Sequence, residues 1–245
     1  MNIKIAVMNL QSGIGVTRGY RQYLTRGLRY VVPHSGKALI DAGAFLKEQS
    51  IDIALLTEVE GGSRRSRYAS QLDALSENSD MPHAHFFPTW NLGGSINEGN
   101  GLLSRLPVSQ ERTHPLPSSR NPRVLGEALV DVGGIPVTVL VAHLALSTQT
   151  RRTQLERIAD IVKDIRTPVI LGGDFNERDR SSFKILKKLG LTHATALGYP
   201  SWRPRHALQA LFVSSHFKLR SVSVTSDALF SDHLPLIVEA ALRQR

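Results

Sequence analysis

Apolar residues alternate with polar or small ones at the start of the chain. Ile3, Ile5 and Val7 recur at every second position before Asn9, the spacing of a strand with one buried face. Residues 11–36 lose that pattern. They are rich in Gly and Arg, carry the pairs Tyr20–Arg21 and Arg29–Tyr30, and read as an exposed elaboration with room for a short helix. From Lys37 the period changes: Leu39, Ala42, Gly43, Phe45 and Leu46 share one side of a helix running to Glu48. The run IDIALLT, 51–57, is almost continuously apolar, as buried strands are, and it ends at Glu58.

The next stretch is less regular. A basic loop, GGSRRSRY, leads to a helix around 68–78, and 85–87 reads as a short strand. Residues 89–98, rich in Gly and Asn, and 112–123, RTHPLPSSRNPR, read as loops on either side of a strand that starts at 101–104 and is broken by Pro107. A hairpin follows: 125–132, the turn Gly133–Gly134, then 137–142, ending at His143. Leu155, Ile158, Ala159, Val162 and Ile165 mark a helix over 151–166 that Pro168 stops. A strand at 169–171 feeds GGDFNERD, a helix at 182–189 ends at Gly190, and strands are expected at 208–214, 218–225 and 234–240.

This mixed order, with no repeat and no long linker, predicts one domain over 1–245, built from β-sheets packed together with helices outside. Composition narrows the chemistry. There is no Cys, which removes disulfides and thiolate metal sites. GxGxxG, GKS/GKT and HExxH are absent. No apolar run reaches the length of a transmembrane helix, and the first ten residues read as a strand rather than a signal peptide, so a soluble cytoplasmic protein is expected. Thirty Lys+Arg against 21 Asp+Glu give a formal net charge of +9, a field that attracts nucleic acid, phosphorylated small molecules or anionic lipid headgroups.

Polar residues sit where the apolar runs stop: Asn9, Glu58, His143, Asp174 with Asn176, and Asp232 with His233. Each alone has a plain explanation, as a turn residue, an Asx-turn or a core histidine. Together they describe one edge of a layered fold, where sites form readily. Carboxylates gathered there repel one another unless a cation neutralises them, and oxygen donors suit Mg²⁺ or Mn²⁺. Histidines beside them can hold a phosphate or protonate a leaving group.

The segments MNLQSG, LLTEVEG, GNGLLSRLPV, VAHLAL, LGGDFNE and SDHLPL, in that order along nearly the whole chain, resemble the endonuclease/exonuclease/phosphatase superfamily. The resemblance implies a four-layered α/β sandwich, two mixed β-sheets face to face with helices outside. It implies Glu58 as the ligand of a Mg²⁺ or Mn²⁺ ion, with Asn9 and Asp232 completing the metal site. It assigns His143 and Asn176 to the scissile phosphate, Asp174 to the attacking water and His233 to the reacting group, with Asn100 beside them. One position departs from the pattern. Where the family carries an Asp that orients the last histidine, HALQALFVSS has Gln209, which is expected to accept a hydrogen bond from His233; His206 and Asp227 are alternatives for that support.

Arg64 and Arg65 follow the strand that ends at Glu58, Arg120 and Arg123 precede another strand, and Arg203 and Arg205 flank Pro204 in SWRPRH. Arg64, Arg65, Arg203 and Arg205 are the expected substrate contacts, since guanidinium forks bind phosphate and the nearby aromatics can stack. The expectation is a metal-dependent phosphodiester hydrolase, foremost a nuclease on DNA or RNA. The alternatives are a phosphatase or phospholipase-like enzyme acting on small phosphoesters or headgroups, and a weakly active or non-catalytic nucleic-acid-binding homologue.

Overall fold

The computed structural model describes residues 1–26, 36–118 and 121–243. Its first half runs β1 (Asn2–Asn9), α1 (Arg21–Arg26), α2 (Lys37–Glu48), β2 (Ile53–Glu60), α3 (Gln71–Ser79), β3 (His83–Leu92), β4 (Ile96–Ser104) and β5 (Val108–Leu116). Then come β6 (Arg123–Asp131), β7 (Pro136–His143), α4 (Thr148–Asp164), β8 (Val169–Asp174), α5 (Lys184–Lys187), β9 (Thr192–Ala194), β10 (Gln209–Val213), β11 (Phe217–Val224) and β12 (Leu236–Leu242). They make two six-stranded sheets, ordered β11-β12-β1-β2-β4-β3 and β5-β6-β7-β8-β10-β9. Each sheet is mixed: β1 runs parallel to β2 and β7 parallel to β8, while the other pairings are antiparallel. The result is a four-layered α/β sandwich.

Strand alternation builds three cores. On β1, Ile3, Ile5 and Val7 point between the sheets, where they meet Val139, Val141 and Leu211. Ala6 and Met8 point the other way, onto Ala42 and Leu46 of α2 and Leu72 and Leu75 of α3. The second sheet does the same with Leu140, Ala142 and Leu171, which pack on Leu155 and Ile158 of α4 and on Phe183. A fully buried aliphatic side chain is worth about 1.5–3 kcal/mol before conformational entropy is charged. The facing rows therefore set strand register strongly, because a slip of one residue would exchange the two faces.

Several segments differ from expectation. Residues 89–98 are hydrogen-bonded strand rather than loop, with Trp90 opposite Glu98 and Leu92 opposite Ile96 around a turn at Gly93 and Gly94, both at positive φ. Their polar composition hides them because this end of the hairpin is mostly solvated. Residues 108–116 form edge strand β5, where the missing N–H of Pro115 costs little. The helix expected at 182–189 is a 3₁₀ turn, Arg180–Phe183, followed by α5, and β9 carries too few residues to show a period. Residues 11–16 are buried rather than exposed, with Ile14 and Val16 in the interior. Arg29, Tyr30 and Arg120 lie outside the described residues. Among the described residues no helix is long and apolar enough to cross a membrane.

Candidate active site

The two parallel pairs end at the same edge of the sandwich. His143 and Asp174 are register partners at the ends of β7 and β8, one step beyond Ala142 and Gly173. Gly173 makes that approach possible: at its φ of +147°, an added Cβ would lie 1.9 Å from the Ala142 carbonyl oxygen. In the other sheet Asn9 closes β1, and Glu58 sits in a β-bulge between Leu56 and Val59 with φ +54°. The bulge lets Val59 fill the core under the helices while the Glu58 side chain turns toward the cleft. A left-handed glutamate costs on the order of 1–3 kcal/mol, which the surrounding sheet must carry.

Asn9 joins the two sheets. Its Oδ1 accepts from the Gln11 backbone N–H at 2.9 Å, which aims its Nδ2 at Glu58 Oε1 (2.9 Å) and Asp174 Oδ2 (3.1 Å). The expected metal ligand thus presents an amide N–H to the carboxylates, while its oxygen is already used. Asp174 also accepts the Asn176 backbone N–H at 2.9 Å, and His233 Nε2 lies 3.7 Å away. Burial opposes ionisation of Asp174, but His233, His143 and these hydrogen bonds outweigh it and hold the carboxyl below its ordinary range. Asn176 donates its Nδ2 to Leu144 O (2.9 Å) and toward His143 Nε2 (3.1 Å).

Glu58 behaves in the opposite way. Burial and the nearby carboxylates of Glu98, Asp232 and Asp174 push it up to about 8 against the Asn9 hydrogen bond. Burial, followed by the Arg123 cation, brings His143 down to about 3, so its ring is neutral at pH 7. With Asn176 donating to Nε2, the proton of that neutral ring belongs on Nδ1. Asp232 accepts hydrogen bonds from Tyr23 Oη at Oδ2 and from Ser231 Oγ (3.2 Å) at Oδ1. Burial and Asp232 also push the Tyr23 hydroxyl far up, so it stays a donor.

Asn9, Glu58, His143, Asp174, Asn176, Asp232 and His233 line a cleft of about 680 Å³ with Arg123, Arg151, Arg178, Tyr199 and Leu208. Arg123 was legible only as part of a basic stretch ahead of a strand. It opens β6, and its buried Nε has no hydrogen-bond partner among the described residues, which suits an incoming anion. Burial works against its charge, while Glu58, Glu98 and Asp174 favour it. Arg151 is already bonded to Glu177 at 3.3 Å, and Arg178 is an exposed rim residue.

Several expected contacts fall elsewhere. Arg65 is buried and pairs with Glu60 and with Glu98 (3.1 Å), so it is an interior counter-ion rather than a phosphate contact. Arg64, Arg203 and Arg205 are exposed but do not line the cleft. Asn100 is buried and donates to Val124 O at 3.1 Å, tying β4 to β6 next to Arg123. Gln209 does not hold His233. It lies opposite Asp174 in register, and its Nε2 donates across to Val7 O at 3.1 Å. The Nδ1 of His233 has no hydrogen-bond partner among the described residues, so neither His206 nor Asp227 supplies the support. Its ring instead packs on Tyr199, with centroids 4.6 Å apart.

The donor chemistry fits a small hard cation. The carboxylate crowding that raises Glu58 is what such an ion relieves. Among the described residues no group of three Asp, Glu or His side chains is placed to hold a metal ion.

The sequence pattern of the Endonuclease/Exonuclease/phosphatase family matches residues 21–233. Among solved structures, an endonuclease/exonuclease/phosphatase from Beutenbergia cavernae DSM 12333 is similar at 20% identity, covering 98% of this chain and 72% of that one, with a TM-score of 0.74. A mannosyl-6-phosphatase from Bacteroides thetaiotaomicron shares 17% identity over 98% of this chain and 100% of that one, with a TM-score of 0.71. The human Nocturnin catalytic domain with bound sulfate anion shares 18% over 99% and 94%, also with a TM-score of 0.71. No curated protein matches the sequence.

Proposed function

Because this chain belongs to the endonuclease/exonuclease/phosphatase family, we propose that it is a divalent-cation-dependent phosphodiesterase with nucleic acid as its leading substrate. The observation that carries this reading is Asp174: a buried carboxylate kept ionised where the two sheets meet, flanked by His143, His233, Asn9 and Asn176. Hydrolysis of a phosphoester needs an oriented water, neutralised phosphoryl charge and a stabilised leaving oxygen. Each requirement has a candidate within this cleft.

Glu58 and Asp232 are the residues that would hold Mg²⁺ or Mn²⁺, with Asn9 fixing the Glu58 carboxylate. When bound, the ion neutralises phosphoryl charge and polarises the P–O bonds. Asp174 orients the attacking water and accepts its proton. A carboxylate held below its ordinary range is a weak base, so orientation is its larger contribution. Asn176, whose two amide hydrogens go to Leu144 O and His143, orients the neutral His143 ring against the phosphoryl group, half-buried Arg123 adds a cation beside it, and His233 stabilises the departing oxygen.

The preference for a polymer rests on charge. From Arg180 to Ser226 the sequence contains no Asp or Glu, while Arg180, Lys184, Lys187, Lys188, Arg203 and Arg205 lie within it and are exposed. Such an exposed basic stretch favours a long polyanion. A second reading, a phosphatase for small phosphoesters, is favoured by the likeness to a mannosyl-6-phosphatase.

Plasmid, single-stranded DNA, RNA, phosphorylated sugars and lipid headgroups should be compared with and without EDTA, using Asp174→Asn as the control. EDTA-sensitive cleavage of a polynucleotide, weakening steeply with salt, is expected. Turnover confined to small phosphoesters would move the assignment to the second reading, and turnover indifferent to EDTA would remove the cation.

A further inference from the structure

Helix α1 buries none of its described residues, Arg21–Arg26, so over that stretch no core face holds it in place. It is attached through side chains, among them Arg26, which donates to Gly15 O. Tyr23 Oη donates to Asp232 Oδ2. Tyr20 stands edge-on to Trp202, with centroids 5.2 Å apart and planes at 90°. Gln22 Oε1 accepts the backbone N–H groups of Thr17 (2.8 Å) and Arg18 (2.9 Å), fastening the helix start.

The partners of these tyrosines matter more than the helix. Asp232 and His233 are consecutive, and the histidine ring lacks the hydrogen bond that would fix it from β10, since Gln209 is turned to Val7 O. Orientation therefore comes from the opposite side. The Tyr23 and Tyr199 hydroxyls interact with each other, Tyr23 holds the Asp232 carboxylate and the Tyr199 ring packs on His233. The backbone of the 198–201 segment holds the same pair: Ser201 N–H donates to Asp232 O (2.7 Å) and Leu234 N–H to Gly198 O (2.9 Å).

We infer that Tyr23 is a positioning residue: α1 folds against the cleft, and its phenol fixes the Asp232 carboxylate while Tyr199 steadies His233. The effect on turnover rests on the phosphoesterase reading; the contact itself does not. Tyr23 touches no reacting atom and acts through Asp232. A phenol that only packed would be replaced without loss by Phe, whereas one that orients a carboxylate would not.

The test uses the full chain with Tyr23→Phe, alone and combined with Asp232→Ala. Hydrogen–deuterium exchange over residues 20–26 should rise in Tyr23→Phe. On whichever phosphoester the wild type cleaves, kcat should fall about tenfold with KM within about twofold, the scale of losing one hydrogen bond to a charged group. In the Asp232→Ala background, which leaves the phenol no side-chain acceptor, the same substitution should change kcat less than about twofold, since an interaction already removed cannot be lost again. Unchanged exchange and kcat in Tyr23→Phe, or a full tenfold loss on top of Asp232→Ala, would overturn the inference. If the wild type cleaves no phosphoester, the functional reading fails by itself and exchange alone decides: faster exchange supports the clamp, and unchanged exchange rejects it.

Discussion

The carboxyl of Glu58 links cation binding to pH in a way that can be calculated. Burial and the Glu98, Asp232 and Asp174 carboxylates raise it to about 8, so at pH 7 about nine-tenths of the cation-free protein carries a proton there. A cation bound through this carboxylate must displace that proton. Apparent Mg²⁺ affinity should therefore rise about tenfold from pH 6 to 7, about fivefold from 7 to 8, and less than twofold from 8 to 9, following the ionised fraction. Calorimetry in buffers of different ionisation enthalpy should find about 0.9 proton released per ion at pH 7, and Glu58→Gln should abolish both the release and most of the affinity. Stability of the metal-free protein runs the opposite way with pH. The folded-state value lies above the ordinary one, so without metal the folded form binds more protons than the unfolded one between about pH 4.5 and 8. In EDTA, the wild type should thus lose stability relative to Glu58→Gln as pH rises through that window, and Mg²⁺ should reverse the loss. Affinity that stays flat from pH 6 to 8, or binding with no proton released, would refute the argument.

Asp174→Asn should cut turnover by about 10²–10⁴-fold, the range for losing a positioned acid–base group, with the melting temperature little changed; wild-type rates in the folded variant would remove Asp174 from the mechanism. Gln209→Asp should lower stability by about 1–3 kcal/mol in chemical denaturation, because Val7 O loses its donor and a charge enters a buried position. A variant more stable than the wild type would instead restore a direct contact between the two. Arg65→Met should cost about 3–5 kcal/mol by leaving buried Glu60 without its counter-ion, while Arg64→Ala should leave both stability and activity near wild type. A large loss of substrate affinity with full stability in Arg65→Met would return that residue to the cleft.

Local pattern carried much of this molecule. The alternation of Ile3, Ile5 and Val7, the run ending at Glu58 and the helical spacing of Leu155, Ile158 and Val162 are statements about neighbours a few residues apart, and the backbone turns them directly into faces. The edge that collects Asn9, Glu58, His143 and Asp174 was legible for the same reason: parallel strands stop together, and polar residues mark where apolar runs stop. The strand pairing around the Gly93–Gly94 turn and β5 was not, because solvated and edge strands need no apolar alternation.

Direction across the sandwich was decided by tertiary packing. Charge counting treats Arg64, Arg65 and Arg123 alike, yet one is solvated, one is neutralised inside by Glu60 and Glu98, and one enters the cleft. Gln209 aligns with a residue expected to support His233, but the Val7 carbonyl, 202 positions away in sequence, takes its amide. Tyr23 lies in a stretch without period, and its partner Asp232 is 209 positions away. Periodicity sets which face a side chain occupies; which group it meets there depends on how two sheets and their loops close on each other, and buried polar atoms then take the partners that geometry leaves them.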